Sequence, residues 1–148
     1  MPHAGLMDEA SLGPAVGPLQ RARLHIRGGK RRLAQGKIAA GIVTLYDALD
    51  GAMQWYVSSP ERLASLRITA GEDLNNDKTL FRALQRSGVL DSTFNYEDFD
   101  SLVERALREE LTGYDYRPLL VSLEKIMTGL GVMPFDEASL PPEDPATF

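Results

Sequence analysis

The chain has 148 residues, enough for one domain with one core, and its 43% apolar and 25% charged residues match an ordinary globular domain. It contains no cysteine, which excludes disulfides, thiol chemistry and cysteine-ligated zinc, and suits a reducing compartment. The net charge of −5 hides an asymmetry. Arg21, Arg23, Arg27, Lys30, Arg31, Arg32 and Lys37 fall in one stretch that no acid interrupts, and the rest of the chain carries −12.

Residues 1–18 show no basic stretch followed by an apolar run, so a secretory signal is not expected. The longest apolar stretch, residues 38–49, is broken by Thr44 and Asp47 and is too short to span a bilayer. The expected location is cytoplasmic, with no membrane partner. Residues 1–18 hold Pro2, Pro14, Pro18, Gly5, Gly13 and Gly17, and residues 134–148 hold Pro141, Pro142, Pro145 and four acids. Neither end can bury enough apolar surface to offset the entropy of ordering it. The expected organisation is therefore a flexible N-terminal segment (1–18), a single helical domain (19–133) and an acidic, proline-rich tail (134–148), with both ends disordered or loosely draped.

Between the ends, apolar residues recur with helical period. Ile38, Ile42, Leu45, Leu49, Ala52 and Tyr56 mark one helix, and Ala39, Val43, Tyr46, Met53 and Val57 widen its apolar face, which predicts a central position with neighbours on two sides. It should stop at Ser59-Pro60, with Ser59 capping a short helix that runs to about Ile68. A third helix is predicted from Asp77 to a stop at Ser87-Gly88, carrying Leu80, Phe81 and Leu84. A fourth begins at the cap Asn95, has Glu97 and Asp98 in its first turn, presents Phe99, Leu102, Val103, Ala106, Leu107 and Leu111, and ends at Gly113. The fifth starts near Asp115, tolerates Pro118 early, and presents Leu119, Leu120, Leu123, Ile126, Met127 and Leu130 before Gly131. No segment alternates strictly, so the predicted class is all-α, about five helices in an orthogonal or bundle-like array.

The stretch before Ile38 permits two readings. Either one long helix begins near Lys30 and runs through Gly36, or a basic helix over residues 19–34 turns at Gln35-Gly36-Lys37 into the next. In the second reading Gln35-Gly36-Lys37-Ile38, followed by Ile42, Leu45, Ala48 and Leu49, resembles the turn and second helix of a tetratricopeptide repeat. The resemblance places Gly29 at the family's small position in the first helix and Gly41 where the family usually has alanine. It covers residues 29–49, Arg32 stands at a usually aromatic position, and no copy follows at a 34-residue interval. Leu45-Tyr46-Asp47-Ala48 is also similar to a segment of the flagellin-export chaperones. Both families bind protein segments rather than catalyse.

Residues able to carry chemistry are few. The histidines are His3, near the N-terminus, and His25, in the basic segment, which leaves no basis for a histidine triad or a two-histidine zinc site. Arg21 and His25 resemble the arginine-to-histidine pair of certain helical ribonucleases, but with three intervening residues and before the first long helix; the plainer reading of His25 is a solvated side chain. Asp100 and Glu104 share a helix face that reads as solvated rather than metal-binding. Asp73-Leu74-Asn75-Asn76-Asp77 begins like a calcium loop, but Lys78 stands where glycine is required and Leu84 where an acid is required. No catalytic, metal or cofactor site is predicted.

Two features remain. The seven bases of residues 21–37 could neutralise phosphates of a nucleic acid, although no aromatic is interleaved among them for base stacking; or they could pair with Glu109, Glu110 or the acidic tail. Trp55, Tyr56, Tyr114 and Tyr116 either close the core or, lying along one edge, anchor a partner protein, since Trp and Tyr are enriched at binding hot spots. The sequence therefore predicts a non-enzymatic helical adaptor or accessory module that binds a protein partner or itself as a homo-oligomer. The alternative is a nucleic-acid-binding accessory domain using the basic segment.

Overall fold

The computed structural model describes residues 9–148, and the sequence-based reading of residues 1–8, with His3, lies outside them. The described residues are all-α, with six helices: α1 (Glu9–Ala34), α2 (Ile38–Val57), α3 (Pro60–Ala64), α4 (Asp77–Arg86), α5 (Tyr96–Ala106) and α6 (Arg117–Leu130). Two 3₁₀ turns, Glu137–Ser139 and Pro145–Thr147, follow.

The hairpin is the reading that holds for the first two helices. Gly36 takes a left-handed conformation (φ 79°) that lets the chain reverse between α1 and α2. The two helices cross at very short range because the contact positions are glycines. A β-carbon on Gly29 would lie 2.8 Å from the Cγ of Leu45, and one on Gly41 would lie 2.7 Å from Leu33 and 3.1 Å from the Gly29 carbonyl oxygen. Helix α1 also starts earlier than composition predicts, taking in residues 9–18 with a break at Gly13 (φ 85°, ψ 175°). Residue 14, the first after the break, is a proline at a position where a missing N–H costs nothing.

Helix α2 is central, packing against α1, α3, α4, α5 and α6. Ile42, Leu49 and Met53 of α2 meet Leu80, Phe81 and Leu84 of α4 and Leu123, Met127 and Leu130 of α6 in one fully buried core. Each such side chain contributes about 1.5–3 kcal/mol relative to exposure. An aromatic group closes the side next to α5: Phe81 lies 5.0 Å from Tyr96 and 5.5 Å from Phe94, and Tyr46 lies 5.7 Å from Phe99.

Two caps fall on the predicted residues, Ser59 and Asn95, and a third forms at Asn76. Ser59 accepts from the Arg62 amide, Asn76 from Thr79 and Asn95 from Asp98. Two boundaries differ. Helix α3 stops at Ala64 rather than near Ile68, leaving Ile68 exposed in the loop. Helix α5 stops at Ala106 rather than Gly113. Leu107 then points to solvent, while Leu111, in a left-handed conformation (φ 58°), turns back into the core. The shorter helix thus buries Leu111 and leaves Glu109 and Glu110 in water.

The acidic tail lies along α1. Val132 is fully buried, Met133 and Phe135 pack on the core, and residues 136–148 continue over the arginines of α1 as a strap that is mostly exposed on its outer side.

Candidate functional site

Helix α1 positions its residues on three faces. Ala22, Ile26, Gly29 and Leu33, at spacings of four, three and four, form the apolar face that meets α2. Arg23, Arg27 and Arg31, each four apart, form a second face along which the tail runs. Arg21, His25 and Arg32 form a third, turned to the polar edge of α2.

On the tail side the contacts are specific. Arg23 donates from Nε to the Val132 carbonyl oxygen at 3.1 Å, and its guanidinium lies 5.4 Å from the centre of the Phe135 ring. Arg27 donates to the Pro141 carbonyl oxygen at 2.6 Å and pairs with Glu143 at 3.1 Å. Arg31 pairs with the other oxygen of the same carboxylate, donates to Gln35 at 3.1 Å and stacks over Phe148 at 4.6 Å. The Arg27, Arg31 and Glu143 side chains are only 14%, 18% and 16% exposed. Charge-assisted bonds and cation–π stacking thus seat the Glu143 carboxylate, two backbone carbonyls and two aromatic rings on a single helical face. Arg32, beside them, is held below the usual guanidinium range by burial first and by the charge of Arg31 second.

On the α2 side the partners are carboxylates of a packed helix. Arg21 reaches Asp47 at 3.2 Å and Asp50 at 2.8 Å, and His25 Nε2 lies 2.9 Å from the second oxygen of Asp47. Arg32 donates to the Thr44 hydroxyl at 3.4 Å. His25 is buried, so the expectation of a solvated histidine is corrected: the close crossing of α1 and α2 draws it against Asp47. Asp77, at the start of α4, shares a hydrogen bond with Asp50. Burial first, then that bond and the charge of Asp50, push its carboxyl up to about 7, although Arg21 pulls the other way. Tyr96 donates to the Tyr46 hydroxyl at 3.1 Å, and burial raises both phenols above their ordinary range.

The remaining predicted residues are dispersed. Lys30 stands 3.5 Å from Glu124 of α6, and Lys37 is exposed at the α1–α2 turn, lining a groove with Leu107, Glu109 and Glu110. Trp55 and Tyr56 are half-buried at the end of α2, with the Arg62 guanidinium 4.1 Å from the Trp55 ring centre and the Trp55 ring against Gly131. Tyr114 lines a groove of about 370 Å³ with Leu90, Phe94, Leu119 and Ile126, and Tyr116 immediately precedes α6 without a capping side-chain bond.

Sequence reasoning did not single out Glu143, Phe135 and Phe148 as partners of particular arginines, nor the grouping of Asp47, Asp50 and Asp77. The four-residue spacing of Arg23, Arg27 and Arg31 was the available signal for the first. Nothing local announces the second. No group of three or more His, Asp or Glu that could hold a metal ion lies among the described residues, and no helix among them is long and apolar enough to cross a membrane. Comparison of the chain with protein-family models, with curated proteins and with solved structures gives no match.

Proposed function

We propose that this chain is a non-enzymatic helical module of the cytoplasm that works by binding a protein segment, supplied by another protein or by a second copy of itself. One observation carries the reading: Arg23, Arg27 and Arg31 hold an irregular, acidic, proline-rich segment by side chain, backbone and ring at once. A helical face that grips peptide backbone as well as side chains has the chemistry of peptide recognition.

The same contacts count against nucleic acid as the partner. Arg21, Arg27, Lys30 and Arg31 each face a carboxylate of the chain itself, and a phosphate backbone would have to displace those acids. Light-scattering mass of the purified protein at low and at about 0.5 M salt, with nucleic-acid absorbance recorded alongside, separates the two readings. A nucleic-acid-free particle with the same mass at both salts is expected. Co-eluting nucleic acid that leaves at high salt would overturn the proposal in favour of the basic segment as a nucleic-acid site.

A further inference from the structure

We propose that the groove between α5 and α6 binds a free α-amino acid with a large apolar side chain. The side chain lies on the groove floor, and the ammonium and carboxylate meet Asp91 and Lys125 at the mouth. This goes beyond the interaction-module reading and does not depend on what the arginine face of α1 binds.

The groove follows from how three elements are placed. Helices α5 and α6 each pack on α2 and make little contact with each other, and the loop between α4 and α5 supplies a third wall. Leu90, Phe99, Leu102 and Ile126, all buried, form the floor, and the half-buried Phe94, Tyr114 and Leu119 form the sides. A space of about 370 Å³ falls at the small end of the range for small-molecule sites. Phe94 and Phe99 stand edge to face at 5.9 Å, an arrangement that a further ring or a branched aliphatic group can join.

The loop wall is fixed in shape by its own bonds. Gln85 of α4 donates from Nε2 to the Asp91 and Phe94 carbonyl oxygens, both at 3.0 Å. The Asp91 carboxylate accepts from the Thr93 amide at 2.7 Å, and Asn95 accepts from the Asp98 amide at 3.0 Å. A site held in this way gives up little freedom when a ligand enters.

The mouth carries opposite charges near one another. Bonds from Thr93 first, and the charge of Lys125 after them, hold the Asp91 carboxyl below the usual carboxylate range, so it stands ionised near the Lys125 ammonium. Both residues are exposed, and a carboxylate that accepts from Thr93 keeps lone pairs for another donor. A plain anion or a plain cation would meet one partner and one like charge here. A molecule with both charges on a single carbon answers the two together. Asp98, on the α5 side of the same groove, adds a second carboxylate for the ammonium, and Ser122, one turn before Lys125, adds a hydroxyl.

The test follows amide chemical shifts of the isotopically labelled full chain at neutral pH. The probes are L-phenylalanine and L-leucine, beside phenethylamine, which lacks the carboxylate, 3-phenylpropionate, which lacks the ammonium, and L-alanine, which lacks the apolar body. At least one of the first two should move residues 89–95, Tyr114, Ser122 and Lys125, and the three incomplete probes should bind about tenfold more weakly or worse. Asp91→Asn keeps the oxygen that accepts from Thr93, and Lys125→Met keeps a good helix former at an exposed position. Each should weaken binding of the amino acid about tenfold while the rest of the spectrum stays in place.

No shift in these residues with either amino acid at about 10 mM would overturn the site. Binding of phenethylamine or 3-phenylpropionate as tight as that of L-phenylalanine, or binding unchanged in both variants, would overturn the paired-charge recognition. Either failure leaves the light-scattering test of the interaction module untouched.

Discussion

Two sets of arginines on one helix are covered to the same degree and yet held in different ways. Arg21 is 15% exposed and Arg27 14%, and each faces a carboxylate at about salt-bridge distance. What covers Arg21 is α2, a helix locked into the core on several sides. What covers Arg27 is a strap of irregular chain with three prolines, which reaches it through the Pro141 carbonyl and the Glu143 carboxylate. Burial of a charge therefore does not measure how firmly it is anchored. Anchorage depends on whether the covering element has a reason of its own to stay.

The sharpest way to break this comparison is to remove a guanidinium from the α2 side. Arg21→Ala leaves Asp47, Asp50 and Asp77 together without their shared cation, and should cost about 2–3 kcal/mol in urea-induced unfolding. A loss below about 1 kcal/mol would mean that water already reaches this group, as at a surface pair.

Next in size is a pH dependence. The Asp77 carboxyl, near 7 in the folded protein, is well above its unfolded value of about 3.9, so the folded state binds the proton more tightly. Its stabilising contribution is complete below about pH 4 and is lost as pH rises through about 7. Arg21 of α1, Asp47, Asp50 and Tyr46 of α2, and Tyr96 and Asp100 of α5 are the charged and titratable groups around it. Asp77→Asn should flatten the fall in stability between pH 5 and pH 8, which thermal melts across that interval would reveal; an unchanged slope would exclude Asp77 as its source.

The smallest effect is expected on the tail side. Glu143→Ala should cost under about 1 kcal/mol, because the strap can lift and let water reach Arg27 and Arg31. Hydrogen exchange should meanwhile quicken in residues 136–148 and not in α2. A cost as large as that of Arg21→Ala would make the tail a structural part of the domain instead.

Much of the fold was legible because it rests on local rules. Apolar period marked α2, and the capping residues Ser59 and Asn95 stand where their helices begin. The hairpin stayed open in sequence because Gly28, Gly29 and Gly36 read equally as weak helix or as turn; only the contact of Gly29 with Leu45 across the pair decides it. The end of α5 was missed because Leu111 keeps helical spacing with Leu107 while reaching the core by a left-handed turn. By composition the tail is poor in large apolar residues. Composition could not reveal that Glu143 and Phe148 meet arginines more than a hundred positions away.

The three glycines where α2 meets α1 have one more consequence. Gly29, Gly41 and Gly51 leave backbone against backbone, with Gly51 lying under the Pro18 carbonyl oxygen, so α1 is keyed to α2 like a splined shaft. Each residue of a helix turns the axis by about 100°. A roll of α1 by one residue would carry Arg21 out of reach of Asp47 and swing the Arg23, Arg27 and Arg31 row away from the line of the tail. Which arginines become interior and which become a surface row is thus set by residues that carry no charge and no side chain.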